Sequence, residues 1–157
     1  MPALVVAATA LAAALPQQGV LVPGESLGGL RLGATRAQVT ATWGDDYGVC
    51  RSCPRTTWYF TYRRFEPQGA GVELRQGRVA ALFTLWQPAG WRTTRGLRLG
   101  DQASRVRALY GPLPRTRCAG YEALTLRRGR TSTVFYVLRD EVWGFGLLRA
   151  GLRPCRE

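Results

Sequence analysis

No histidine occurs anywhere in this chain of 157 residues, and lysine, asparagine and isoleucine are missing as well. Without histidine the sequence lacks the commonest general base, the commonest metal ligand and a usual member of hydrolytic triads. Lysine, asparagine and isoleucine share AT-rich codons, so their joint absence points to a GC-rich genome, bacterial in type. Carboxylates are scarce too. There are ten, and Asp45-Asp46 and Asp140-Glu141 are the only adjacent pairs. Neighbours on a turn point apart, which argues against a calcium site or a carboxylate dyad. No G-x-S-x-G, P-loop or dinucleotide fingerprint occurs. These absences together lead to the expectation of a protein that is not an enzyme and uses no cofactor and no metal.

Long hydrophobic runs are also lacking. The one apolar stretch, Ala3 to Leu15, is too short for a mature membrane span. Followed by Gln17 and Gln18, and carrying Ala12-Ala13-Ala14, it reads as part of a secretory leader over residues 1–14, extending to about 19, with cleavage near Ala14. It departs from that pattern in having no basic residue ahead of the run. No cysteine follows it, so a lipid anchor on this segment is not expected. The protein is expected to be secreted or otherwise extracytoplasmic.

What the chain does have is arginine. All 22 basic residues are arginine, and the net charge is +12. Genome bias accounts for part of this, but the electrostatic consequence stands: the surface should adhere to anionic polymers, cell walls or membrane surfaces. The arginines are spread along the chain and no nucleic-acid motif is present, so nucleic acid is not an expected partner. The expected partners are a protein or an anionic envelope component, with peripheral membrane contact compatible and a monomer as the state.

Four cysteines occur, at Cys50, Cys53, Cys118 and Cys155. In an exported chain disulfides are the default, and three connectivities are open. A redox CxxC needs its first thiol at a helix N-terminus, whereas Cys53 runs into Pro54 and a strand-like TTWYFTY. A four-cysteine zinc site would want a second CxxC. The favoured pairing is Cys50–Cys53 and Cys118–Cys155, with the second tying the last strand to the end of the second helix.

The strongest pattern is an internal repeat. GLRLGATRAQVTATWG (29–44) and GLRLGDQASRVRALYG (96–111) share eight of sixteen positions at a constant offset of 67. In each block two leucines alternate with an arginine, a glycine permits a turn, and a short helix follows. Thr35 and Gln38 fit a capping box, and Asp101 is the expected cap of the second helix. Val39 and Trp43, like Val106 and Tyr110, lie four apart on one helical face. Gly44 and Gly111 fit the left-handed C-cap position. Strand patterns follow each helix, at 57–65 and 71–86 (two strands around Gln76-Gly77), then at 120–128, 131–139 and 142–149. The chain thus divides into a first αβββ unit (27–86), a linker (87–95) and a second αβββ unit (96–155). The expected fold is α+β, two tandem helix-plus-antiparallel-meander units forming one curved sheet with the helices on one face.

This pattern, L-x-L-G, a capped helix closing on W/Y-G and then a meander, resembles the β-lactamase inhibitor protein. It is similar also to the small lipoprotein of the outer-membrane β-barrel assembly machinery. The resemblance covers 27–155 in architecture and rests on the two sixteen-residue blocks in residues. It implies a non-catalytic binding or inhibitory module that uses the open face of its sheet. The lipoprotein's lipidated cysteine has no counterpart here, and the CRSC spacing differs from the inhibitor's.

Within the first strand Trp58, Phe60 and Tyr62 alternate with Tyr59 and Thr61, so both rows are aromatic. An exposed Tyr/Trp/Arg surface has the composition of an interface hot spot. The candidate binding face is therefore Trp58, Tyr59, Tyr62, Arg63, Arg75 and Arg78, bordered by Arg64 and suited to an acidic partner.

Overall fold

The structure, a computed structural model, describes residues 13–60 and 69–156. Most of the expected leader lies outside the described residues, as do Tyr62, Arg63 and Arg64 of the candidate face. The elements run β1 (Val20–Val22), β2 (Ser26–Leu27), α1 (Arg36–Trp43), β3 (Tyr47–Cys50), β4 (Thr56–Phe60), β5 (Gly69–Arg75) and β6 (Arg78–Leu85). They continue with β7 (Arg92–Thr93), α2 (Ala103–Tyr110), β8 (Arg115–Arg117), β9 (Glu122–Arg128), β10 (Thr131–Leu138) and β11 (Glu141–Arg149). The class is α+β and mainly β.

Both helices have eight residues, about two turns. In α1 the capping box forms: the Gln38 amide N–H donates to Thr35 Oγ1 at 3.2 Å, and the Thr35 N–H donates to Gln38 Oε1 at 2.8 Å. In α2 the cap residue is Gln102, not Asp101, and no side chain caps it. The Asp101 carboxylate turns backwards instead, accepting from the Arg98 N–H at 2.8 Å and pairing with Arg105. Gly44 and Gly111 end the helices with φ of 86° and 78° and ψ of −175° and −173°. That is not the left-handed helical region but the extended mirror region, which only glycine adopts freely.

Eight strands form one antiparallel sheet in the order β3-β4-β5-β6-β11-β10-β9-β8. Its centre is the β6–β11 pair, with Leu82 opposite Leu147. On each side the remaining strands step outward to a short edge strand. The edge strands β3 and β8 were not expected, so each helix is followed by four strands rather than three. A β-bulge sits in both central strands, leaving Ala80 and Trp143 as the extra residues. The segment entering each helix bonds to the start of its central strand. Gly33 N–H donates to Val79 O and Val79 N–H to Ala34 O; Gly100 N–H donates to Val142 O and Val142 N–H to Asp101 O. The expected linker contributes β7, which joins β1 and β2 in a three-stranded mixed sheet, β1 parallel to β7.

The register separates the two faces of the large sheet. Trp58, Phe60, Val72, Leu82, Leu124, Phe135, Phe145 and Leu147 look one way, and both helices and the small sheet pack on them. Trp43 meets Phe60 edge-on at 5.3 Å and Trp91 at 5.6 Å, while its indole N–H donates to Gly28 O. Tyr110 stacks on Phe135 at 4.6 Å and donates to Thr93 Oγ1. The other face carries Tyr59, Phe83, Val134, Tyr136 and Leu148. It has no helix, yet it is not open. Phe83 lies over Gly71, where a Cβ would come within 2.2 Å of the ring, and Tyr136 lies over Gly146. The C-terminal segment after β11 crosses this face, with Leu152 packed on its apolar cluster.

Candidate functional site

The C-terminal segment is held on the far face by two tyrosines and one carboxylate. Tyr136 donates to Pro154 O at 2.9 Å, and Tyr121 donates to Arg156 O while accepting from the Arg156 N–H. Burial pushes the Tyr136 phenol well above its ordinary value; the nearby Arg156 guanidinium pulls it down by less. Arg156 Nη1 pairs with Glu73 Oε1, and Nη2 donates to Arg153 O. The Arg156 side chain is 1% exposed, and its Nε has no partner. Glu73 stands on β5 opposite Thr57, and its second oxygen is 3.2 Å from Arg55 Nη1. One carboxylate thus serves two guanidinium groups, which is what a buried charge needs to be tolerated.

Two disulfides flank this network: Cys50–Cys53, and Cys118–Cys155 across 37 residues. This is the favoured pairing, but the long bridge leaves from the end of β8 rather than from α2. Between the bridges lies a cleft of about 590 Å³. Thr57, Glu73, Thr116, Cys53, Cys118 and Cys155 line it, with Thr57 and Glu73 buried and Thr116 exposed. Arg55, Arg117 and Arg153 line it; Arg55 is half-buried, and the other two are exposed. Among the described residues Glu73 is the sole carboxylate of the lining and is already paired, so the described lining is net positive. Arginine forks in such a place suit a carboxylate or phosphate.

Of the candidate face read from the sequence, the described residues Trp58, Tyr59, Arg75 and Arg78 do not share one surface. Trp58 belongs to the helix face, stacked on Tyr47 at 4.0 Å with Arg36 over its ring. Tyr59 points the opposite way and is buried against Phe83, because neighbours on a strand alternate. Arg75 is exposed at the β5–β6 turn, and Arg78 donates to Gly33 O on the helix side. Glu73 on β5, Arg117 on β8, and Arg153 and Arg156 on the C-terminal segment do converge, and no local pattern joins these three stretches. Among the described residues no group of three or more Cys, Asp and Glu could hold a metal, and no helix is long and apolar enough to cross a membrane.

No family model and no curated protein matches the chain. It is similar to solved structures at low identity. A DUF4309 family protein (YjgB) from Bacillus subtilis superposes with a TM-score of 0.59 and 16% identity, over 80% of this chain and 88% of that one. An extracellular protein containing a SCP domain from Bacillus anthracis gives a TM-score of 0.53 and 9% identity, over 76% of this chain and 44% of that one. The chain therefore spans less than half of the second protein. At these identities what is shared is the fold alone.

Proposed function

We infer that the protein is an extracytoplasmic, non-catalytic binding module that captures an acidic partner in the arginine-lined cleft of its far face. The observation that carries this reading is the convergence of Arg117 and Arg153, beside the Glu73-paired Arg55, around a cleft whose one carboxylate among the described residues is spent on internal pairing. Export is supported by the apolar leader and by two disulfides. The tandem-unit reading is supported by matched helices, matched bulges and the matched bonds of Gly33 and Gly100. The β-lactamase inhibitor protein likeness favours an inhibitory role for the captured contact, moved from an open sheet face to the cleft.

The test uses poly-L-glutamate as the acidic probe. Binding should weaken about tenfold in R117A/R153A, since two exposed charge pairs are removed. Raised salt should weaken binding of the native protein. Equal binding by both proteins overturns the reading.

A second reading is an envelope-associated protein adhering through dispersed arginine charge. Arg127, Arg128 and Arg130 favour it, standing exposed together around the β9–β10 turn. It requires that neutralising these three, and not the cleft pair, abolishes adhesion to anionic surfaces.

A further inference from the structure

Both disulfides reach the same cleft: Cys53, Cys118 and Cys155 line it together with Arg55, Arg117 and Arg153. All four cysteines are half-buried rather than sealed. Two requirements of thiol–disulfide exchange follow from charge. The attacker is a thiolate, and a cleft of one sign concentrates the opposite sign. The departing sulfur is a thiolate too, and it leaves faster where positive charge stabilises it. A helix N-terminus is one source of that charge. Here Arg117 and Arg153 line the same cleft as Cys118 and Cys155 and give it positive charge.

We propose that the arginine-lined cleft is a thiol–disulfide exchange site, selective for anionic thiols, with Cys118–Cys155 as its reducible bond. The inference rests on reading the cleft as anion-attracting. The attacking thiolate forms a mixed disulfide with one of the two sulfurs, and the S–S bond breaks to expel the other as a thiolate beside the arginines. A second external thiolate then attacks the mixed disulfide at the external sulfur. It releases the oxidised external disulfide and leaves two protein thiols, so that two electrons pass from two external thiols to Cys118 and Cys155. The C-terminal segment thereby loses its covalent tie and keeps only the bonds to Tyr121, Tyr136 and Glu73.

The experiment follows reduction of Cys118–Cys155 by alkylation and mass spectrometry in C50S/C53S protein, which isolates the signal. Mercaptoacetate, neutral 2-mercaptoethanol and cationic cysteamine are compared, each rate divided by that of the same thiol on hydroxyethyl disulfide. The normalised rate should be about tenfold or more higher for mercaptoacetate than for cysteamine at low salt. It should converge on unity at high salt and in the same background carrying R117A/R153A. Equal normalised rates at low salt, or a preference unchanged by the arginine substitutions, overturn the proposal. Poly-L-glutamate binding is measured on the same proteins without thiol. Loss of anionic-thiol preference with retained polyglutamate binding defeats the exchange site alone; absence of polyglutamate binding with retained preference defeats the capture reading alone.

Discussion

Arg156 reaches across 83 residues of sequence to lay its buried guanidinium on the Glu73 carboxylate. The pair stitches the end of the chain to the fifth strand, and with it the two halves of the sheet. Removing Glu73 leaves the Arg156 guanidinium buried without a carboxylate, which typically costs about 3–5 kcal/mol, whereas removing Arg156 leaves Glu73 its pair with Arg55 and costs less. Glu73→Gln and Arg156→Ala should therefore each lower the denaturation midpoint, the first by more. The double variant should cost clearly less than the sum, as groups in one network do. Urea unfolding of the four proteins measures this, and additive losses would show that the two residues act independently.

The long bridge should matter more than the short one. Closing 37 residues constrains the unfolded chain by about 4 kcal/mol on the chain-entropy estimate, while the three-residue separation of Cys50–Cys53 gives about 1.5 kcal/mol. C118S/C155S should thus be the less stable of the two double-serine variants in thermal unfolding. The reverse order would mean that native packing of the CRSC loop, not loop closure, dominates.

How much of this could be read from the chain alone depended on range. The capping box, the terminal glycines and the Gln76-Gly77 and Gly129 turns are local, and the sequence shows them. The edge strands are not: Arg115–Arg117 is wholly exposed and has no apolar alternation, so only pairing with β9 makes it a strand. The second helix takes Gln102 as its cap, the position the offset of 67 pairs with Thr35, and in both copies the preceding residue's carbonyl is engaged with the central strand. The burial of Trp58 and Tyr59 was out of reach for the same reason of range. Alternation told apart the rows of Trp58 and Tyr59 but not what covers each, and the cover of the far face is a tail nearly a hundred residues away along the chain.

Gly111 offers a test of backbone strain with no steric complication. Its φ is 78° with ψ near the extended limit, and a Cβ built there meets nothing within 4 Å. Gly111→Ala should destabilise by about 1–3 kcal/mol through backbone conformation alone. Gly71→Ala is the contrasting case: its φ is not positive, but its Cβ would strike the Phe83 ring. That loss, also about 1–3 kcal/mol, should be partly recovered by Phe83→Leu in the same chain, whereas Gly111→Ala should not respond to it. Recovery in both backgrounds, or in neither, would contradict the assignment.

Tyr136 should set the alkaline limit of the fold. Its hydroxyl is buried and donates to Pro154 O, so the folded protein holds the neutral phenol above the pH at which a free tyrosine ionises. The unfolded chain releases that proton near pH 10. Below about pH 10 both states keep the proton and the contribution to stability is complete; above it, ionisation favours the unfolded chain and stability falls as pH rises. Unfolding free energies measured from pH 8 to 11.5 should decline for the native protein more steeply than for Tyr136→Phe, which cannot ionise. The substitution also removes the bond to Pro154, so the variant should start lower at pH 8 and the two curves should approach each other as pH rises. Parallel curves would place the alkaline transition elsewhere, in the other tyrosines or in loss of arginine pairing, and would remove Tyr136 from the account.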